Sequence, residues 1–463
     1  MEKRGPIVLA AVALLALACT GGGRAGGPAD ASPVVLVAVD GFEWDVVIPL
    51  LKAGQLPNLA RLMERGRYGE LLTLEPTWSP VIWTTVATGK PPQAHGIHHF
   101  VRREPGGGRS LYTSRDRRTK ALWNIVSDDE GRVNVIGWWM TWPVEPIAGV
   151  MVAQTNTTAQ LDTKGGRNVW KGTLRDGVPE QVYPAAREAE MLAVLGRVET
   201  DLPRLTRRIF GEFPHPLSVL GGRLWNNCRW AFRADAVYLE IALALAGEEP
   251  PADLTMLYFG GPDVVGHRFW RYRQPGLYRD PPAREEVENF GRVIDDYYVY
   301  VDRALGRLVA AHGPEATFLV VSDHGMRPVN RESRFDADRP PADVNSAEHQ
   351  DAPPGVLIAA GPAIERGRPF PLAELARQDL EPLGNVFDLA PTVLAMLRIP
   401  LGEDLEGRVL EELFRPEIRI AEQPPAVPTH DTPEFLASRQ GERPRSPGEA
   451  ERLEQLKSLG YID

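Results

Sequence analysis

Cysteine is nearly absent: Cys19 and Cys228 are the only two in 463 residues. One disulfide at most is available, which excludes a disulfide-stapled scaffold. An excess of positive charge is also missing. Lys and Arg number 52 against 62 Asp and Glu, a formal net charge of −10, so the chain offers no field for gripping a nucleic-acid backbone, and no nucleic-acid partner is expected. There is no internal repeat. The longest apolar run near the start, Ile7 to Ala18, is shorter than the roughly 20 residues a membrane span needs. What remains is an ordinary balance of 43% hydrophobic and 25% charged residues, which argues against whole-chain disorder and a collagen-like repeat. The length allows two or three domains, or one large α/β core with an insertion.

Lys3 and Arg4 followed by the run Ile7 to Ala18 and small residues before Cys19 have the layout of a secretory signal. The stretch Leu15-Ala16-Leu17-Ala18-Cys19 resembles a bacterial lipoprotein signal, in which the cysteine becomes the lipid-bearing first residue. Plain cleavage after Ala-Leu-Ala and an uncleaved anchor are the other readings, and each of the three exports the protein. Loss of residues 1–18 removes Glu2, Lys3 and Arg4, a net +1, and leaves −11. Residues 19–33, rich in Gly and Ala, are expected to form a flexible tether, and Cys228 is expected to be a core residue.

At Val34 the pattern changes to Val-Val-Leu-Val-Ala-Val, the continuous apolar run of a strand buried on both faces of a parallel sheet. Similar runs occupy Leu254 to Phe259, Thr317 to Val321 and Gly355 to Ala360, with helical patterns at 56–65, 234–246 and 287–312. The alternation predicts a three-layer α/β/α sandwich with a largely parallel central sheet. Residues 153–225 are irregular and proline-marked, and are expected to form an inserted cap with a short helix at 184–195. The cap's Trp170, Arg175, Arg187 and His215 are candidate ligand contacts, with exposed charges the plainer alternative. A Pro- and charge-rich tail occupies 408–463 and closes in an amphipathic helix at 447–459. Ligands of such open sheets sit beyond the carboxyl ends of the strands.

Polar residues cluster at those ends. Asp40 follows the first run, Asp263 and His267 follow the second at the four-residue spacing of one helix face, Asp323 and His324 follow the third, and His349 precedes the fourth. Asp and neutral His are the ligand types of catalytic zinc. Singly, each residue has an ordinary alternative as a turn former or satisfied structural histidine; together at strand ends they indicate a metal site. Ser79-Pro80 reads as a helix N-cap with proline at the first helical position, which aims a hydroxyl and backbone N–H groups beyond the helix start, a natural phosphate site. The plain alternative is that Ser79 only caps its helix.

The ordered set Asp40-Gly41, Ser79, Thr88-Gly89, His95-Gly96-Ile97, Asp263-x-x-x-His267, Asp323-His324-Gly325 and His349 before Gly361-Pro362 resembles the alkaline phosphatase superfamily, most of all its branch of nucleotide pyrophosphatases and type I phosphodiesterases. The resemblance covers roughly Val34 to Leu401 outside the insertion, and it makes 34–407 the catalytic domain. It implies two zinc ions, with manganese as the other candidate metal. One would be held by Asp263, His267 and His349, and the other by Asp40, Asp323 and His324. It also implies Ser79 as the nucleophile of a two-metal mechanism through a phospho-serine intermediate. Where the diesterase branch has an Asn that contacts a phosphoryl oxygen, this chain has Phe100, so His99 and Lys90 are the candidate substitutes for that contact. The expectation is therefore an exported hydrolase of small-molecule or lipid phosphoesters, diesters first, anchored to the membrane through Cys19.

Three alternatives share parts of this pattern. A sulfatase would need a Cys/Ser-x-Pro-x-Arg motif, but Pro80 comes one residue too early and Trp83 holds the Arg position. A head-group transferase of the cell envelope would use the same metals and serine, yet such enzymes usually carry several membrane spans and disulfides. A non-catalytic lipoprotein retaining the fold would be expected to have lost a ligand, and all six are present.

Overall fold

A computed structural model describes residues 32–104, 109–154, 158–159, 170–171, 173–174, 178–278, 280–329, 345–367, 371–417, 423–439 and 453. The expected signal segment, Cys19 and nearly all of the expected 447–459 helix lie outside the described residues.

The Val-rich run forms β1, Val34–Val39, with all six residues buried. Alternation of side chains across the strand explains why none is polar. Val35, Val37 and Val39 enter one core, while Val34, Leu36 and Ala38 enter a second on the opposite face. Eight more strands complete the central sheet: β2 (Arg67–Leu72), β3 (Val133–Ile136), β4 (Gly149–Val152), β5 (Val182–Tyr183), β6 (Leu254–Phe259), β7 (Thr317–Val321), β8 (Gly355–Ala360) and β9 (Pro382–Asn385). Their order is β9-β2-β8-β7-β1-β6-β3-β4-β5. β1 runs parallel to β6 and β7, in registers that start from Val34↔Leu254 and Val34↔Thr317. β8 is antiparallel to both of its neighbours, and β5 is antiparallel to β4.

Helices cover both faces, so the architecture is a three-layer α/β/α sandwich. Trp44–Lys52, Pro57–Arg65, Val219–Ala246, Gly261–Arg273 and Val293–His312 close the first core. Ser79–Thr88, Leu122–Asp128 and Leu389–Met396 close the second. The polar consequence of β8's reversal is specific: its amino end, preceded by His349, lies at the edge where β1, β6 and β7 end. The Ser322 amide donates 2.8 Å to the Val356 carbonyl, and the Gly325 amide donates 2.9 Å to that of Pro353.

Three expectations differ in detail. The helix expected at 184–195 is a 23-residue helix, Glu188–Phe210, that continues through Pro203. Its Met191, Val194, Leu195, Val198 and Leu202 recur at helical spacing, and that stripe joins the first core. Within 153–225, β5 pairs on the edge of the central sheet, while Thr158–Ala159 and Trp170–Lys171 form a separate two-stranded pair. The 287–312 pattern divides at Gly291 into Arg284–Phe290 and Val293–His312. Part of the expected tail also packs on the core: Leu410, Leu413 and Phe414 join the second core, Phe414 bridges to Ile364, and a short helix, Pro433–Ser438, is capped by Thr432.

Candidate active site

Strand ends deliver the six candidate ligands to one edge of the sheet. Asp40 is the residue after β1, where its amide is fixed by the Phe259 carbonyl at 2.9 Å. Asp263 and His267 lie on the Gly261–Arg273 helix that follows β6. Asp323 and His324 follow β7, and His349 precedes the reversed β8. Gly41 permits the close approach of the first two elements. It adopts φ +64°, and a Cβ there would meet the Asp263 Cα at 2.9 Å.

The six fall into two buried trios, Asp263 with His267 and His349, and Asp40 with Asp323 and His324. The ligand atoms in each trio lie within 4.8 Å of one another. The tautomers follow from the partners. His267 Nδ1 faces the Ala347 carbonyl at 2.8 Å and His324 Nδ1 faces the Gly325 carbonyl at 3.0 Å. A carbonyl only accepts, so both Nδ1 atoms carry the proton. The Thr77 hydroxyl donates 2.6 Å to the His349 carbonyl and therefore accepts from His349 Nδ1 at 2.9 Å. Each imidazole is left with Nε2 as its basic nitrogen, the orientation that metal-ligating histidines adopt.

Burial makes this cluster costly without a cation. Asp40 is pushed up to about 8 by burial and then by the facing charge of Asp263. Asp323 is raised by burial and then by Asp40 and Asp263. Burial also raises Asp263, but the neighbouring imidazoles of His267, His349 and His324 together outweigh that and hold the carboxyl below its ordinary range. Burial lowers His324 to about 4 and also lowers His349. Asp323 Oδ2 and His324 Nε2 are buried with no hydrogen-bond partner among the described residues. Two orphaned acceptors facing each other at 3.3 Å are what a bound cation would satisfy. The donor set of carboxylate oxygen and imidazole nitrogen fits zinc or a similar divalent ion.

Ser79 begins its helix as the first helical residue, with Trp78 in the N-cap position and no side-chain cap hydrogen bond. That differs from the expected N-cap role and leaves the hydroxyl for other work: Ser79 Oγ donates 3.4 Å to Asp40 Oδ1. A small cavity is lined by Ser79, Asp40, Asp263, Phe100, Trp139, Gln154 and Trp230, among others. Thus the candidate nucleophile and one carboxylate from each trio share one space.

The substrate-contact expectations fare unequally. Phe100 lines the cavity. His99 is half-buried, packs edge-on against Trp78 with centroids 4.2 Å apart, and accepts from the Val101 amide. Lys90 is corrected. It sits past the far end of the Ser79 helix, about 15 Å along the axis at 1.5 Å per residue, where its ammonium donates 2.5 Å to Asp404 and 2.7 Å to Asp431. Two carboxylate partners, one exposed and one half-buried, not a phosphoryl oxygen, account for that buried lysine. His95 has a structural part: its Nδ1 accepts from the Ile97 amide and its Nε2 donates to Thr85 on the Ser79 helix. Arg187 and His215, candidates from the insertion, pair with Glu190 and Glu248 and with Glu288, and neither lines the cavity. Arg175 lies outside the described residues.

Four functional residues escaped the sequence reading. Thr77 orients His349. Tyr258 and Trp83 both donate to Asp40 Oδ2, at 2.5 and 3.1 Å. Asp235 accepts from the Gly260 and Gly261 amides at the start of the Asp263 helix and from Tyr297. Burial pushes its carboxyl up to about 7. Tyr258 is the penultimate residue of β6 and Trp83 lies one helical turn beyond Ser79, and each reads in sequence as an ordinary core aromatic. Cys228 is buried, its thiol pushed up to about 12, as expected for an inert core residue.

Comparison with known proteins gives the following. Residues 34–370 match the family model described as type I phosphodiesterase/nucleotide pyrophosphatase. Human ectonucleotide pyrophosphatase/phosphodiesterase family member 7 is 25% identical over 336 residues, 71% of this chain and 55% of that protein. A 2,3-bisphosphoglycerate-independent phosphoglycerate mutase of Cereibacter sphaeroides is 30% identical over 161 residues, 35% of this chain and 24% of that protein. The chain thus spans about half or less of these curated relatives. Among solved structures, murine ectonucleotide pyrophosphatase/phosphodiesterase 5 aligns over 79% of this chain and 95% of its own at 14% identity and TM-score 0.45. A phosphonoacetate hydrolase of Sinorhizobium meliloti aligns over 65% and 58% at 19% identity and TM-score 0.39.

Proposed function

The chain belongs to the type I phosphodiesterase/nucleotide pyrophosphatase family, and from that premise we propose that it hydrolyses phosphoric esters, diesters in preference to monoesters, with Ser79 as nucleophile. The observation that carries the reading is the shared cavity of Ser79, Asp40 and Asp263. Asp263, His267 and His349 would hold one divalent cation, and Asp40, Asp323 and His324 a second, both zinc. Bound, these ions supply Lewis acidity that lowers the Ser79 pKa and neutralises charge on the phosphoryl group.

The chain's own residues do the rest. Ser79 Oγ forms the new bond to phosphorus as the bond to the ester oxygen breaks, and the alcohol departs with a proton. A water then cleaves the phospho-serine and restores the hydroxyl. The amino end of the Ser79 helix favours the anionic phosphoryl oxygens. Among the described residues the cavity lining contains Phe100, Trp139, Trp230 and Tyr258 and no Lys or Arg. A phosphodiester, with one negative charge and a second organic group, suits that lining better than a dianionic monoester, which would want a cation there. Nucleotides and other small or lipid phosphoesters are the substrate classes that fit.

The signal-like segment and Cys19 support export to a bacterial cell envelope with a lipid anchor, residues 1–18 being removed and 19–33 serving as tether. The deciding experiment purifies residues 20–463, measures bound zinc, and compares bis-p-nitrophenyl phosphate with p-nitrophenyl phosphate and sulfate. Two metals per chain and a higher kcat/KM for the diester are expected. Ser79→Ala is expected to abolish turnover while keeping the metal. No metal and no ester turnover with added Zn²⁺ or Mn²⁺ would end the proposal, and activity retained by Ser79→Ala would remove Ser79 from its role.

A further inference from the structure

The two oxygens of Asp40 are treated differently. Oδ2 accepts from the Tyr258 hydroxyl at 2.5 Å and from Trp83 Nε1 at 3.1 Å. Oδ1 instead lies 3.4 Å from Ser79 Oγ and 3.4 Å from His324 Nε2. A carboxylate oxygen has two lone-pair sites, so two donors occupy Oδ2 and leave Oδ1 as the oxygen turned toward the rest of the trio. Asp323 is divided in the same way. Its Oδ1 accepts from the Gly41 amide at 3.3 Å, and its Oδ2 faces His324 Nε2 without a hydrogen-bond partner among the described residues.

The donors on Asp40 are themselves held. The Trp83 indole meets Trp138 edge-on at 5.4 Å and Tyr258 at 5.7 Å, and Trp138 Nε1 donates 3.1 Å to the Trp83 carbonyl. Trp139 packs against the other side of this group, 6.2 Å from Tyr258. All four rings are buried. Rotating Asp40 to offer both oxygens would strip two buried donors and repack a dense aromatic cluster, which interiors resist.

We propose that Tyr258 and Trp83 are positioning residues that restrict Asp40 to one ligand oxygen, and that they thereby make the Asp40–Asp323–His324 site select zinc against calcium. The proposal rests on the metal-ligand reading above. One oxygen from each carboxylate and one imidazole nitrogen make three donors, the complement of a four-coordinate zinc with one open position. Calcium takes six to eight oxygens, often with bidentate carboxylates, and the clamp denies it the second oxygen of Asp40.

The test is competitive metal titration of the stripped full chain, with zinc buffered by a chelator and calcium added as competitor. The wild type is expected to bind two zinc ions and to keep both in millimolar calcium. Tyr258→Phe, which keeps the ring and removes only the hydroxyl, is expected to weaken zinc at one site by about 10–100-fold and leave the other unchanged. Calcium should then displace zinc from the weakened site. Trp83→Phe should act in the same direction, and Tyr300→Phe, a buried hydroxyl removed elsewhere in the core, should change neither site. Wild-type affinity and calcium resistance in both Tyr258→Phe and Trp83→Phe would overturn the proposal, as would equal weakening of both sites. A wild type that binds no metal would instead overturn the ligand reading itself.

Discussion

The Thr77 hydroxyl and the His349 imidazole form a one-way pair: the hydroxyl donates to the His349 carbonyl at 2.6 Å, so the ring's Nδ1 proton points at the hydroxyl at 2.9 Å. Both residues are buried, and the pairing fixes which nitrogen is basic. Thr77→Val keeps the shape and removes the hydroxyl, leaving the Nδ1 proton without its acceptor. Metal affinity at the Asp263–His267–His349 site is expected to fall about tenfold or more. Thr77→Ser should restore most of it, because only the hydroxyl is required. Isothermal titration with zinc separates the two outcomes, and equal affinity in all three proteins would remove Thr77 from this role.

Lys90 supplies a stability prediction in place of the substrate contact expected from sequence. Its side chain is 6% exposed and its two carboxylate partners come from the segment that follows the sheet, Asp404 and Asp431. Asp431 also accepts from the Lys120 amide at 2.6 Å, so one carboxylate ties the carboxyl end of the Ser79 helix to a neighbouring loop. Lys90→Met leaves these partly exposed acids without their cation and is expected to cost about 1–2 kcal/mol in a denaturant titration. KM for a diester should stay near the wild-type value. A large rise in KM with unchanged stability would return Lys90 to the substrate.

Glu145 predicts the acid limb of the stability curve. Burial disfavours its charged form, but Arg117 and then Arg439 outweigh burial and hold the carboxyl down to about 2, from an ordinary 4.5. A depressed acid stabilises the fold above its unfolded pKa and loses that contribution as pH falls, here through the window from about 4.5 to 2. Glu145→Gln leaves the buried Arg117 unpaired and should cost about 3 kcal/mol at pH 7. The difference between wild type and variant should then shrink as pH is lowered from 4.5 toward 2. A difference that stays constant across that window would show that the ion pair is not the source.

Much of this was legible in the chain, for physical reasons that also mark the limits. The four runs at Val34, Leu254, Thr317 and Gly355 could be read because strands buried on both faces must be apolar throughout, and they coincide with β1, β6, β7 and β8. The ligand residues could be read because Asp and His at strand ends are costly unless used. The Glu188–Phe210 helix runs past the expected end at 195 because its stripe from Met191 to Leu202 packs on the first core, a tertiary burial that the local sequence does not display. The partners of Lys90 are not legible locally because they lie 314 and 341 residues away. Tyr258 and Trp83 could not be singled out, since a core aromatic and one that donates to a buried carboxylate look alike until the strands are paired.

Asp323 offers a test of the charge crowding at the site. With Asp40 and Asp263 nearby, its buried carboxylate is stable as an anion only if positive charge is present. A cation bound to the native state alone stabilises it by about 4 kcal/mol at a thousandfold excess over Kd, so chelation should lower Tm by several degrees. Asp323→Asn keeps the acceptor for the Gly41 amide and puts an N–H where Oδ2 faces His324 Nε2 at 3.3 Å. That amide can donate to the imidazole, and one negative charge is gone. In the presence of chelator the variant is therefore expected to melt higher than the wild type, by about 2 °C or more. In the presence of zinc the order should reverse, because the variant has lost a ligand. Calorimetry of both proteins in both conditions reads the crossing directly, and a variant less stable than wild type in both would show that repulsion among these carboxylates does not limit the stripped form.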